Sequence, residues 1–224
     1  VFSHGFTSHF ADLLNWASRL SEISVATTIF GLPGHKLGSD SEVQSLDDFE
    51  QYVPKTYCKA TESLREELPK IEPGTKLFVG GHSLGALLGL MSLEEEDFQD
   101  YELRGLAVGL GLLKENQRSL LSSPLFKQNM SIRNQLVSKA LQSESMLPWL
   151  SKVKNNIKTQ NRDIHLITGK NDIIMSSDSM LNMKRKLEEK GNRTSYEIPD
   201  NLPHHQPELA SATIKKYVKS VLSN

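Results

Sequence analysis

The chain has 224 residues, 38% hydrophobic and 24% charged, with a formal net charge of −1. That length suits one substantial core in one domain, and the near-neutral balance excludes a bulk electrostatic attraction to nucleic acid or to a membrane. A single cysteine, Cys58, excludes an internal disulfide and favours a reducing, cytoplasmic compartment, while no apolar run approaches the ~20 residues of a membrane span.

The sequence starts at Val1, so a signal peptide cannot be judged from it. Strand and helix signals alternate along its length, the pattern of an α/β fold with a mainly parallel sheet. Val1-Phe2-Ser3 reads as the end of an apolar strand that runs into His4-Gly5-Phe6. Ser24–Phe30 is β-branched and apolar, stops at Gly-Leu-Pro-Gly, and predicts a strand. From Phe49 on, Phe49, Val53, Tyr57, Ala60 and Leu64 share one helical face. Ser45 and Asp48 offer a capping box, and Pro54 predicts a kink or the helix's true start. Lys76–Gly80 predicts a second strand, followed by a helix from Leu84 to about Glu95. Gly105–Leu110 predicts a third, with Leu112 and Leu113 just beyond it.

Residues 112–160 break the rhythm. They carry no strand signal, but Ile132, Leu136, Val137, Ala140 and Leu141 make one amphipathic stretch, and Met146, Trp149, Leu150, Val153 and Ile157 make another. The segment reads as a small helical insertion within a single domain spanning 1–224. It holds eight Lys or Arg against two Glu, a charge of +6 against −7 for the remainder. The alternation then resumes. Asp163–Gly169 predicts a strand, Ser176–Lys190 a helix with Gly191 as its C-cap, and Thr194–Ile198 another strand. The closing helix has Ala210, Thr213, Ile214, Tyr217, Val218, Val221 and Leu222 on one stripe, a face that docks on a sheet.

The chemistry-bearing stretch is Gly80-Gly81-His82-Ser83-Leu84-Gly85. It follows a predicted strand and opens a predicted helix, the setting of a nucleophile elbow, in which Gly81 and Gly85 let neighbouring backbone approach a strained serine. The alternative is a glycine-rich loop with an incidental serine. A phosphate-binding loop is disfavoured by the missing Gly-Lys-Ser/Thr ending. A serine hydroxyl needs a base, and the base needs a group that fixes its tautomer. On such a fold the chain order is Ser, acid, His. Asp172 follows the strand Asp163–Gly169, in the kind of strand-end loop where parallel sheets keep their chemistry. His204 and His205 follow the strand Thr194–Ile198. Asp172 could instead cap a turn. His204, nearer its strand, is the preferred base, with His205 the alternative. The adjacent histidines lack the carboxylate or cysteine cluster of a metal site. His165, inside a strand, reads as a core or face residue, and His82 as shaping the elbow. Oxyanion donors are predicted at the backbone N–H of Phe6, in a loop braced by His4, and of Leu84 at the helix start. An ordinary His-Gly turn is the competing reading for the first.

Together, His4-Gly5-Phe6, Gly31–Asp40 (GLPGHKLGSD), Gly81–Gly85 (GHSLG), Gly169–Asp172 (GKND) and His204-His205 resemble the α/β-hydrolase superfamily over most of the chain, residues 112–160 excepted. The resemblance implies a serine esterase, lipase or thioesterase with Ser83, Asp172 and His204 in the triad positions, no cofactor and no metal. It implies that the insertion caps an acyl pocket. The partner implied is a small ester or acyl substrate, with transient contact to a lipid surface but neither stable membrane insertion nor nucleic-acid binding. Two departures stand out. Pro203 precedes the histidines and Gln206-Pro207-Glu208 follows at once, which leaves His204 and His205 both open. Superfamily sheets also begin with further strands before the His-Gly loop, so this sheet is expected to be either reduced or truncated at its N-terminal side. A C–C bond hydrolase or lyase, or a ligand-binding pseudoenzyme or receptor, would use the same residues on the same fold.

Overall fold

The computed structural model describes residues 1–37, 42–68, 74–112 and 123–223. Gly38, Ser39 and Asp40 of the Gly31–Asp40 motif, Leu113, and the early part of the 112–160 segment lie outside the described residues. Six strands make the sheet: β1 (Phe2–Ser3), β2 (Ile29–Phe30), β3 (Lys76–His82), β4 (Glu102–Val108), β5 (Asp163–Ile167) and β6 (Arg193–Glu197). Their order is β2-β1-β3-β4-β5-β6, and every neighbouring pair runs parallel. All strands therefore deliver their C-terminal ends, and the loops that follow, to one edge.

Alternation along the strands divides the core in two. Leu77, Val79, Ala107, Ile164 and Leu166 face one side, where helices α2 (Leu46–Glu67), α3 (Leu84–Ser92) and α6 (Ser177–Glu188) cover them. Phe78, Leu106, Val108 and Ile167 face the other, against α1 (Leu14–Ser21) and α7 (Ser211–Leu222). Trp16 in α1 is fully buried and donates its indole N–H to the Pro207 carbonyl at 2.7 Å, joining α1 to the 3-10 turn (Pro207–Ala210) that leads into α7. The stripe read along α7 buries Ile214 and Val218. Among the described residues, no helix is long and apolar enough to cross a membrane.

Three local readings need correction. The strand expected over Ser24–Phe30 forms only at Ile29–Phe30, where it pairs with Phe2 and Ser3. The reason lies upstream: Ser24 has φ 58°, and the N–H groups of Ser24 and Val25 are spent on Ser21 and Leu20 carbonyls in closing α1. Helix α2 starts at Leu46 with Ser45 as N-cap, its side chain accepting the Asp48 N–H, so Pro54 lies well inside the helix and does not mark its start. Helix α3 ends at Ser92, short of Glu95.

The described part of residues 112–160 holds α4 (Pro124–Arg133), two short 3-10 turns at Asn134–Leu136 and Lys139–Leu141, and α5 (Ser143–Asn155). Its turns dock on the loop after β2, with Lys36 N–H donating to Leu136 O at 2.9 Å and Ser138 N–H to Gly34 O at 2.7 Å. Trp149 of α5 packs edge-on against Phe49 of α2, and its indole N–H donates to the Glu50 carboxylate at 2.7 Å.

Candidate active site

Strand β3 ends at His82, and the chain reverses into α3 through Ser83, which adopts φ 52° and ψ −105°. This conformation is unfavourable for a residue with a Cβ and survives only where surroundings impose it. Here Ser83 N–H donates to Val108 O at 2.8 Å and Gly85 N–H to His4 O at 3.0 Å, pinning both sides of the turn. A Cβ on Gly81 would sit 2.0 Å from the Ser3 carbonyl oxygen, and one on Gly85 would sit 2.2 Å from the same atom. Only glycine at both positions lets β1 and α3 meet the elbow this closely.

The loops after β5 and β6 bring two further groups to this point. Nε2 of His204 lies 3.1 Å from the Ser83 hydroxyl oxygen, and its Nδ1 lies 2.8 Å from Oδ2 of Asp172. Asp172 is 5% exposed. Its Oδ1 accepts the N–H groups of Ile174 at 2.9 Å and Met175 at 2.7 Å, so the carboxylate is held from one side and presents its free oxygen to the imidazole. That contact keeps the His204 proton on Nδ1 and leaves Nε2 as an acceptor toward Ser83. His205 is exposed and has no hydrogen-bond partner among the described residues.

On the other side of Ser83 lies the His4-Gly5-Phe6 loop. A Cβ on Gly5 would meet Ser83 Cβ at 3.4 Å and His82 Nδ1 at 2.8 Å, so the loop passes directly beside Ser83. The N–H groups of Phe6 and Leu84 have no acceptor among the described residues. His4 is buried, donates Nδ1–H to Gly5 O at 2.9 Å and accepts Leu32 N–H on Nε2 at 3.0 Å. Both ring nitrogens are thus committed in the neutral form, and burial pushes its pKa down to about 4. His82 is also buried, its ring 4.9 Å from that of His204. Burial first, and then the neighbouring His204, hold it well below the usual histidine range, so His204 has a neutral neighbour.

Three side chains at the site escape a reading by sequence. Tyr57, on the apolar face of α2, lies with its hydroxyl 2.6 Å from Gly85 O and 3.1 Å from Gly80 O, underneath the elbow. Asn171 accepts the Leu202 N–H at 2.8 Å and donates to Asn201 at 3.0 Å, stitching the loop that carries Asp172 to the loop that carries His204. Thr7, next to Phe6, is 4% exposed and has φ 58°, rare for a β-branched residue. The Tyr57 hydroxyl reads as helix-face packing, and Asn171 reads as a loop residue; only their partners, distant in sequence, give them a role. A shallow groove of roughly 610 Å³ between α1 and α7, lined by Arg19, Lys215 and Lys219 among others, has no histidine beside its serines.

No protein-family model matches the chain, and no curated protein matches it by sequence. In three dimensions it is similar to a lipase-esterase related protein from Clostridium acetobutylicum, at TM-score 0.62 and 12% identity over 98% of this chain and 92% of that one. It is similar to a monoacylglycerol lipase from Paleococcus ferrophilus, at TM-score 0.57 and 16% identity over 97% and 92%. It is similar also to a bromoperoxidase from Bacillus anthracis, at TM-score 0.57 and 13% identity over 98% and 88%. At such identities the likeness establishes the fold, and an activity has to be argued from the site.

Proposed function

The chain has the α/β-hydrolase fold, and on that premise we propose a serine hydrolase that cleaves a carboxylic ester or thioester of an apolar acyl substrate through an acyl-enzyme. The observation that carries this reading is the unbroken line from the Ser83 hydroxyl through both nitrogens of His204, at 3.1 and 2.8 Å, to a buried, backbone-held Asp172. Ser83 attacks the carbonyl carbon as its proton passes to Nε2 of His204. The Asp172 carboxylate keeps Nδ1 protonated and stabilises the imidazolium that results. The amides of Phe6 and Leu84 receive the oxyanion, each worth roughly 3 kcal/mol in the transition state. His204 returns its proton to the leaving alcohol or thiol, and a water, deprotonated by the same nitrogen, releases the acid and restores Ser83.

Apolar side chains support the acyl preference. Phe6, Leu112 and Leu150 are half-buried against the core that includes Val137, Leu141 and Trp149. The insertion acts as a cap over that surface.

A fluorophosphonate probe followed by peptide mapping tests the nucleophile directly. The label is expected on the peptide containing Ser83, and Ser83→Ala is expected to lower p-nitrophenyl butyrate hydrolysis by on the order of 10⁴-fold or more with the fold retained. A label on another residue, or activity surviving in Ser83→Ala, overturns the reading.

A further inference from the structure

The insertion reaches the Ser83 side of the sheet with one charged group. Arg133, the last residue of α4, donates from Nη1 to the Thr7 hydroxyl at 3.1 Å. The Thr7 hydroxyl in turn donates to the Phe6 carbonyl at 2.7 Å, and Gly5, one residue further back, is the glycine pressed against Ser83. A short covalent and hydrogen-bonded path thus leads from the nucleophile to an exposed guanidinium at the rim of the oxyanion loop. The guanidinium spends one donor on a neutral hydroxyl and meets no carboxylate within ion-pair distance among the described residues. The nearby Glu144 is turned to Asn134, which donates to it at 3.0 Å.

A guanidinium has five donors in a planar fork that matches a carboxylate or phosphate. One bond to Thr7 orients this fork, and its other donors have no partner among the described residues. A role confined to complementing the C-terminal dipole of α4 needs no bond to the oxyanion loop. We propose that Arg133 is a specificity-determining residue that selects esters carrying an anionic group, a carboxylate or a phosphate, at the end of the substrate remote from the scissile bond. This rests on the serine-hydrolase reading above and names its substrate class more narrowly: an apolar chain with an anion at its far end, the chain against the core residues and the anion on α4.

The test compares methyl monoesters of linear dicarboxylic acids of increasing length with neutral methyl esters of the same chain lengths, following acid release. At the best length kcat/KM for the monoester is expected to exceed that for its neutral counterpart by about tenfold, the size of one charge-assisted hydrogen bond at an open site. Raised salt should shrink that ratio. Arg133→Gln is expected to bring the ratio to about one and Arg133→Glu to invert it. Lys127→Gln, which removes a positive charge from the same helix away from Thr7, is expected to preserve it. A purely structural Arg133 would lower both substrates together and leave the ratio in place, which overturns the proposal, as does the absence of a preference at every length. Failure of the parent reading looks different: neutral esters would then be untouched, or cleaved equally well by Ser83→Ala. A phosphate-terminated ester run in parallel decides which anion fits better.

Discussion

At Asp172 the two carboxylate oxygens do different work, and this makes a conservative substitution informative. Oδ1 is committed to the amides of Ile174 and Met175, so an asparagine there must keep its carbonyl on that side and turn its NH₂ toward His204. Nδ1 then becomes an acceptor, the ring proton moves to Nε2, and Ser83 faces an N–H in place of an acceptor. Asp172→Asn is expected to reduce kcat on the order of 10⁴-fold at neutral pH while circular dichroism and melting temperature stay near those of the parent. A loss of less than tenfold would mean that the carboxylate is not what fixes the tautomer. His205→Ala is expected to change kcat by less than about twofold, since that ring is exposed and unpartnered among the described residues. The sequence offers two adjacent histidines as candidates and can go no further. Which of them lies beside Ser83 depends on the path of the Pro199–Pro203 loop, which Asn171 fastens to the loop after β5, and no local pattern announces a contact between residues 30 positions apart.

Among the elements, α2 contributes most to the site without touching the reacting atoms. The Tyr57 hydroxyl is buried beneath the turn from β3 to α3, next to the carbonyls of Gly80 and Gly85, and the Ser83 backbone is strained just above it. Tyr57→Phe keeps the ring against Phe30, 4.8 Å away, and removes only the donor shared by the Gly80 and Gly85 carbonyls. The expected result is a loss of about 0.5–1.5 kcal/mol in urea unfolding. A fall in kcat at unchanged KM should accompany it, because the elbow is freed to relax. An unchanged urea midpoint would show that the Gly85 carbonyl finds another partner. The elements themselves were largely legible. Long runs with a clear period, such as β3, β5, α2 and α7, are set by which side chains must be buried, and that pattern survives in the sequence. The stretch before β2 departs from its β-branched composition because backbone geometry at Ser24, where a positive φ closes α1 first, outweighs it. Propensity describes side chains; the hydrogen bonds of that turn belong to its neighbours in the chain.

Across the whole molecule, burial of neutral histidines ties stability to pH. His35 is buried with its pKa pushed down to about 3, chiefly by burial and then by His4. His4 and His165 are each pushed down to about 4, mainly by burial, and His82 is held well below the ordinary range. In the unfolded chain each of the four takes up a proton near pH 6.5. Above that pH both states are neutral at these rings and the stability they leave is fully present. As the pH falls through 6.5 toward about 4 the unfolded state binds protons that the folded state refuses, so stability must fall. Each such histidine contributes at most about 1.4 kcal/mol per pH unit. Several acting together can exhaust the 5–15 kcal/mol or so of a typical domain within that window. The urea midpoint is therefore expected to be flat between pH 8 and 7 and to drop steeply below 6.5, with unfolding near pH 5 accompanied by uptake of several protons. A midpoint that holds steady down to pH 5 would show that these rings are hydrated or protonated in the folded protein. The same burial keeps His4 and His82 neutral on either side of Ser83, so on the proposed mechanism an imidazolium at His204 would meet no like charge from these two rings.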